Sequence, residues 1–494
     1  MFESVAIPLW AVVLFGVLAL VGLLDRIIGP GMRWFVRRKA NAAIDELNTR
    51  LHLGIQSFKT TKRQVLIDRL LMDKAVLAAV EEEIKTSGQP RDVVMARAAT
   101  YAKEIVPAFN AYAYSKIGTR LARWASTFVY RVRLGYTNED ALSGIDRNAT
   151  VVFVMNHRSN MDYVLVTYLA SASATLSYAV GEWARVWLLQ NIIRAMGAYF
   201  IRRDSGNLLY RRVLARYVSM ATRSGVTQAV FPEGGLSRDG RLGKAKLGLF
   251  GYMMSDFDPD DDVDVVFVPV GLNYDRVLED RVLTGARRDK ISAGSFRVGV
   301  GGVLSFIFNL LSLRLRGKLY RYGYACAGFG NPVSLKDWIS KGHDDLLSDD
   351  ETTRFEAIQV WADHMMGEVG KVVPVLPVAL VATVISRAGD AGLTELQMKA
   401  NCNRLMESLQ QGGAHIHVPR MDHDYAISTG LRMLLLRKLV REENGLFHAV
   451  AGEEAVLDYY VNSIAHLNGF DDTASGQSKP RAKKKAAGAK SSRG

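Results

Sequence analysis

Apolar residues run unbroken from Val5 to Leu24, with glycine and the single proline Pro8 among them. At ~1.5 Å per residue such a run reaches ~30 Å as a helix, the thickness of a bilayer's hydrocarbon. From about Ala40 to Arg133 the pattern changes, and apolar residues recur three and four positions apart between Lys, Arg and Glu, which predicts helices. Around Thr150 it changes again. Short β-branched runs at Thr150 to Met155, Thr227 to Phe231, Val263 to Val270 and Leu319 to Gly328 alternate with helical stretches. Strands alternating with helices imply an α/β core with a largely parallel sheet. Beyond about Ser340 the helical period returns and continues to Leu467, and Thr394 with Gln397 three positions later forms a capping-box pattern. After Asp471 the chain is Lys, Ala, Ser and Gly, too polar to bury a core of its own.

These shifts divide the chain into an N-terminal anchor with a basic flank (1–39), a helical region (40–133), an α/β domain (134–338), a C-terminal helical region (339–470) and a disordered basic tail (471–494). The anchor reads as a membrane helix. Met1-Phe2-Glu3 lacks the basic start of a secretory signal, and Arg26, Arg33, Arg37, Arg38 and Lys39 follow the apolar run instead. By the positive-inside tendency the bulk of the chain then faces the cytoplasm, a bacterial cytoplasmic membrane being the expected location. A buried or interfacial helix is the alternative reading. A second apolar stretch, Val298 to Leu313, is broken by glycines and flanked by Arg297, Arg314, Arg316 and Lys318. It fits an interfacial segment and a strand followed by a buried helix equally well.

Charge narrows the partners little. Sixty-three Lys and Arg against 50 Asp and Glu give a net charge of +13, but Lys479, Arg481, Lys483, Lys484, Lys485, Lys490 and Arg493 supply seven of those cations within the tail, leaving about +6 for the body. Anionic lipid and phosphorylated substrates attract that sign as well as nucleic acid does, and beside an N-terminal span the lipid reading is preferred. Cys326 and Cys402 are too few for a disulfide framework or a structural zinc site.

The densest chemistry lies in Asn156-His157-Arg158-Ser159-Asn160-Met161-Asp162-Tyr163, directly after the strand Thr150 to Met155. Strand ends of α/β sheets are where ligands bind. On one continuous helix His157 and Asp162 would stand ~140° apart, so they meet only if His157 lies in the turn entering the helix. There Asp162 fixes the imidazole tautomer and leaves the other ring nitrogen to take a proton from a hydroxyl. Arg202 and Arg203 follow the apolar stretch of Gly197 to Ile201 and offer two guanidinium groups to a phosphate. Glu233, Gly234 and Gly235 end another strand, and Ser237, Arg238, Arg241, Lys244 and Lys246 follow them, with cations suited to a phosphate or a pantetheine-linked donor. Val266 to Gly271 reads as a strand that stops at Pro269 and Gly271, followed by Leu272-Asn273-Tyr274-Asp275. No Gly-x-Ser-x-Gly elbow occurs and neither cysteine lies near a candidate base, which favours direct attack by the acceptor hydroxyl over an acyl-enzyme.

In this order the segments resemble the glycerolipid acyltransferase superfamily, most closely the bacterial membrane-bound glycerol-3-phosphate acyltransferases. The resemblance rests on His157-Arg158-Ser159 with Met161-Asp162-Tyr163, on Phe200-Ile201-Arg202-Arg203, and on Glu233-Gly234-Gly235 with Ser237-Arg238 and Gly240-Arg241. Phe329-Gly330-Asn331-Pro332 and the stretch from Leu457 to His466 extend it. It implies a roughly seven-stranded acyltransferase domain at 134–338, with His157 as base and Asp162 as its orienter. It also implies Arg202, Arg203, Glu233, Gly234, Gly235, Ser237 and Arg238 around the acceptor, and Arg158, Ser159, Lys244 and Lys246 as donor or phosphate contacts. The implied co-substrates are glycerol-3-phosphate and acyl-CoA or acyl-carrier protein, with no metal and no cofactor, the product being lysophosphatidate. Two departures bear on the acceptor: Asn160 stands where the family commonly has a second histidine, and Leu236 where it has an arginine. Lysophosphatidate and dihydroxyacetone phosphate are the rival acceptors, and a non-catalytic membrane scaffold is the rival from another class.

Other clusters carry less. The aspartates from Asp256 to Asp264 lack the glycine and closing glutamate of an EF-hand, and His415, His417 and His423 fit no common zinc spacing.

Overall fold

The computed structural model describes residues 57–111, 114, 118–170, 176–180, 194–202, 206–260, 262–285 and 322–467. The N-terminal apolar run, Arg203, the stretch Val298 to Leu313 and the basic tail lie outside the described residues. Among the described residues no helix is long and apolar enough to cross a membrane.

Helices α1 (Arg63–Leu71), α2 (Lys74–Ser87), α3 (Arg91–Ile105) and α4 (Thr119–Val129) lead into strand β1 (Arg131–Thr137). Local chemistry sets their ends. Asp73 accepts from the backbone N–H of Ala75 at the start of α2, and Gly88 closes that helix at φ 66°. The chain continues through α5 (Glu139–Ser143), β2 (Thr150–Met155), α6 (Asp162–Ala170), β3 (Ser177–Val180), β4 (Tyr199–Phe200), α7 (Leu208–Arg223), β5 (Gln228–Val230) and α8 (Gly248–Met254). Then follow β6 (Val265–Tyr274), α9 (Asp280–Leu283), β7 (Tyr324–Phe329), β8 (Val333–Ser334), α10 (Leu335–Ser340) and α11 (Glu351–Lys371). The C-terminal region holds α12 (Pro377–Ala388), α13 (Glu395–Gln411), α14 (His423–Leu436), β9 (Val440–Glu443), β10 (Leu446–Ala449) and α15 (Glu454–Asn462).

The strands form one eight-stranded sheet in the order β1-β7-β6-β2-β5-β3-β4, with β8 on β6. The family resemblance implied roughly seven. Pairing is parallel except where β7 and β8 meet β6. The central strands β2 and β6 are buried at every position, as strands covered by helices on both faces must be. Their alternation divides the core. Val151, Phe153 and Met155 face one cluster with Val378, Leu405, Ile427 and Tyr460 of the C-terminal helices, whereas Val152 and Val154 face a second with Val76, Ala98, Val213 and Trp361. The result is a mostly parallel sheet between two helical layers.

Three sequence expectations are corrected. Strand β1 begins at Arg131, inside the stretch read as helical; it is an edge strand whose Arg131, Arg133 and Leu134 are exposed, so it shows no apolar run. Strand β6 does not stop at Pro269 and Gly271 but continues to Tyr274. Gly271 pairs with Gly328 of β7 within the strand, and it is glycine because a β-carbon there would lie 2.4 Å from the carbonyl of Val372 at the end of α11. The C-terminal region also holds the hairpin of β9 and β10 among its helices.

Candidate active site

The site forms where β2 stops and α6 starts. Asn156 leaves the strand with its side chain turned sideways onto β6, donating to the Leu272 carbonyl at 2.9 Å and accepting the Leu272 N–H at 2.7 Å. This bridge fixes the exit of the turn. Asp162 is the first residue of α6, where helix N–H groups favour an anion, and His157 lies in the turn before it, the geometry their spacing requires. Its Oδ2 accepts the backbone N–H of Arg158 at 2.7 Å and of Ser159 at 3.0 Å, and stands 2.8 Å from His157 Nδ1. Its Oδ1 accepts the Tyr274 hydroxyl at 2.6 Å.

A carboxylate so held can only accept, so His157 Nδ1 carries the proton and Nε2 presents a lone pair. Both side chains are buried, and Nε2 has no hydrogen-bond partner. The imidazole packs between Phe231, at 4.3 Å, and Tyr163, at 5.4 Å between ring centres. Burial and the Asp162 charge push the Tyr274 phenol well above its ordinary range, which keeps it a donor.

His157 lines a cleft of about 220 Å³ together with Phe231, Gly234, Arg202, Lys246, Leu214 and Phe250. The cleft is apolar on one side and cationic at Lys246 and Arg202. Arg202 is already engaged: Nε and Nη2 donate to Glu104 at 3.0 and 2.6 Å, and the guanidinium lies over the rings of Tyr101 and Tyr210. Lys246 is exposed and lies over Gly234, where a β-carbon would come 2.7 Å from Lys246 Cδ.

Several expected contacts are placed elsewhere. Arg158, expected near donor or phosphate, is buried, and its guanidinium is directed at the Gly240 carbonyl and, at 3.4 Å, the Ser463 carbonyl. Ser159 is fully buried and donates to Glu279 at 2.8 Å. Glu233, expected to shape the acceptor site, braces the turn instead: it accepts the His157 N–H at 2.8 Å and the Gly243 N–H at 3.0 Å, and burial raises its carboxyl above the ordinary range. Ser237 donates its hydroxyl to the Arg241 carbonyl at 2.8 Å and its N–H to the His157 carbonyl at 2.9 Å. Gly235 lies in the same loop, and Arg238 and Lys244 are exposed outside the cleft lining.

Sequence reasoning passed over Asn156 as a bridge, Tyr274 and Glu279. Tyr274 ends β6 beyond the point where the sequence pattern stops that strand, and its partner is 112 residues away. Asn160, the position that departs from the family's second histidine, donates its amide to Glu279 at 3.0 Å. The acidic loop is satisfied by protein groups: Asp256 pairs with Arg216, Asp262 with Arg223 at 2.9 Å, and Asp264 accepts from Ser334 at 2.6 Å. His415 stacks on Tyr136, His417 meets Tyr324 edge-on, and His423 approaches Asn403 at 3.3 Å. Among the described residues no group of three or more His, Cys, Asp or Glu could hold a metal ion.

The result is a mostly parallel sheet with a buried His–Asp pair at the exit of a central strand, opening on a part-apolar, part-cationic cleft. Residues 136–273 match the family model described as Acyltransferase, and residues 306–468 match the glycerol-3-phosphate acyltransferase C-terminal region. The chain therefore carries an acyltransferase domain followed by a glycerol-3-phosphate acyltransferase C-terminal region. The glycerol-3-phosphate acyltransferase of Aeromonas hydrophila is 28% identical over 433 residues, covering 85% of this chain and 52% of that protein. The protein of the same name from Pseudoalteromonas atlantica is 26% identical over 424 residues, covering 82% of this chain and 50% of that one. The chain thus spans about half the length of the curated relatives it matches. The crystal structure of the 1-acyl-sn-glycerophosphate acyltransferase from Thermotoga maritima aligns at a TM-score of 0.29 and 17% identity, covering 62% of this chain and 98% of that one, too loosely to carry structural argument.

Proposed function

We propose that this chain transfers a fatty acyl group from acyl-CoA or acyl-carrier protein to the sn-1 hydroxyl of glycerol-3-phosphate, giving lysophosphatidate. The observation that carries the reading is the His157–Asp162 pair at 2.8 Å, with Nε2 unpartnered in a residue that lines the cleft.

The acceptor hydroxyl oxygen attacks the thioester carbonyl carbon while His157 Nε2 takes its proton. Asp162 stabilises the imidazolium that results, and Tyr274 keeps Asp162 oriented. The tetrahedral intermediate collapses with loss of the thiolate, which recovers the proton from His157, leaving an ester and a free thiol. Lys246 supplies positive charge to the acceptor phosphate, and Arg202, paired with Glu104, lines the same cleft. The apolar wall formed by Leu214, Phe231 and Phe250 suits the proximal part of an acyl chain. The reaction needs no cofactor beyond the thioester. The N-terminal apolar run and the cations after it support attachment to the cytoplasmic face of a membrane containing anionic lipid.

The test is transfer from labelled palmitoyl-CoA to glycerol-3-phosphate by the detergent-purified chain and by His157→Ala, with acyl-carrier protein as a second donor and lysophosphatidate and dihydroxyacetone phosphate as rival acceptors. Lysophosphatidate made by the wild type and lost in the variant supports base and acceptor together. Activity only on another acceptor keeps the base and overturns the substrate, and silence with every donor and acceptor overturns the reading in favour of a scaffold.

A further inference from the structure

Besides Asp162, two carboxylates hold the turn of residues 156–162, and the mechanism uses neither of them. Glu233 holds its first half through the His157 N–H. Glu279 holds its second half: Oε2 accepts the Ser159 hydroxyl at 2.8 Å, and Oε1 accepts the Asn160 backbone N–H at 3.3 Å and its side-chain amide at 3.0 Å. The two residues after Glu279 face the other way. Asp280 is buried in an ion pair with Arg437 and accepts the Tyr460 hydroxyl, and Arg281 donates to both oxygens of Glu453 at 2.6 Å. Tyr460 also accepts the Val277 N–H at 3.1 Å, and its neighbour Tyr459 donates to the Arg158 carbonyl at 3.3 Å. Three consecutive side chains therefore join the catalytic turn to the C-terminal helices.

We infer that Glu279 is a positioning residue for acyl transfer, clamping Ser159 and Asn160 so that His157 and Asp162 keep their register, and that Asp280 and Arg281 make this clamp depend on the C-terminal region. The inference rests on the reading of His157 as the base. Ser159 and Asn160 sit between His157 and Asp162, so a slack turn separates the two members of the pair without touching substrate. Displacements of about 1 Å at such sites cost on the order of a hundredfold in rate.

The experiment uses the full chain in detergent, as wild type, Glu279→Gln, Arg437→Met and His157→Ala, with two readouts. Steady-state kinetics should show kcat lowered about tenfold or more in Glu279→Gln, with both KM values within about twofold. Carbethoxylation of individual histidines, followed by peptide mass spectrometry, needs no substrate. It should find His157 modified severalfold faster in Glu279→Gln and faster in Arg437→Met, with His364 and His423 unchanged. Unchanged kcat with unchanged His157 reactivity overturns the inference, and so does a rise shared by all three histidines, which marks general loosening. Unaltered His157 reactivity in Arg437→Met alone removes the dependence on the C-terminal region. A wild type inactive with every substrate defeats the acyl-transfer reading, while the modification rates still decide whether Glu279 holds His157.

Discussion

The Tyr274 hydroxyl donates to Asp162 Oδ1 at 2.6 Å across 112 residues of sequence, so the last residue of β6 holds the first residue of α6. Asp162 is fully buried, and without this donor one of its oxygens would be left unpaired out of reach of water. Such a group costs about 1–3 kcal/mol. Tyr274→Phe should therefore lower stability by that amount, as a shifted urea midpoint with unchanged slope, and reduce kcat more than KM. Because burial and Asp162 raise the phenol well above its ordinary range, no loss of activity from tyrosine ionisation should appear on the alkaline side up to about pH 10. An alkaline limb abolished by the Phe substitution would contradict this assignment.

Asp162→Asn should be almost as damaging as loss of the base itself. An amide at this position still fits the space, but its NH2 can face His157 Nδ1 and turn the imidazole into the wrong tautomer, removing the lone pair from Nε2. A fall in kcat of about 10²–10⁴ is expected for His157→Ala and for Asp162→Asn in the palmitoyl-CoA assay. Near-wild-type turnover in the asparagine variant would show that the pair does not act as base and orienter.

Much of this site was legible because its elements are local. Strand β2 matches the apolar run Thr150 to Met155 residue for residue, since both of its faces are covered and nothing polar interrupts it. The capping box at Thr394 and Gln397 is present with both reciprocal hydrogen bonds. What stayed hidden is of two kinds. Some signals were local but weak, as in β1, whose exposed arginines resemble a helix surface. The turn Asn444-Gly445, with both residues at positive φ, carries a hairpin signature set among helices. Other features are long-range: nothing near Arg158 or Ser159 reveals that the two terminal nitrogens of the guanidinium are directed at the Gly240 and Ser463 carbonyls and that the hydroxyl is taken by Glu279. Residue type suggests what a group could bind, and only the fold shows what it does bind.

Gly234 has φ 69°, and a β-carbon there would lie 2.7 Å from Lys246 Cδ. Gly234→Ala combines a left-handed backbone, costing about 1 kcal/mol for alanine, with displacement of a flexible lysine. The lysine yields easily, so the protein should fold, but the cation leaves its place beside the cleft. The acceptor KM should rise in both Gly234→Ala and Lys246→Ala while the donor KM stays near wild type. A rise in the donor KM alone would reassign Lys246 to the thioester's phosphates.

Asp275 is fully buried, and burial raises its carboxyl from 3.8 to about 6 even though it accepts the N–H groups of Tyr324 and Val378. The sign follows from the raised folded-state value. Between about pH 4 and pH 6 the unfolded chain ionises this group while the folded chain keeps it protonated, so stability falls as pH rises through that window and the slope ends above it. The contribution is on the order of 3 kcal/mol. Asp275→Asn loses an acceptor and should be less stable than wild type near pH 4, with the gap narrowing by pH 7. A gap independent of pH would mean that Asp275 does not titrate in this range.

The tightest packing near the site is at Gly240, with φ 85°, where a β-carbon would fall 1.9 Å from the Tyr459 carbonyl oxygen and 2.8 Å from its carbon. Unlike Lys246, a backbone cannot swing aside, and the Gly240 carbonyl also receives the Arg158 guanidinium. Gly240→Ala must therefore push α15 away from the loop or distort the loop that carries Ser237, whose N–H holds the His157 carbonyl. Destabilisation above about 3 kcal/mol is expected, in the range of severe core overpacking, seen as a large drop in melting temperature. Gly367, exposed near the C-terminal end of α11 with nothing within 4 Å of its β-carbon site, provides the contrast. Gly367→Ala should raise stability by about 0.5–1 kcal/mol through helix propensity alone. If both variants melted together with wild type, α15 would not lie against the catalytic loop.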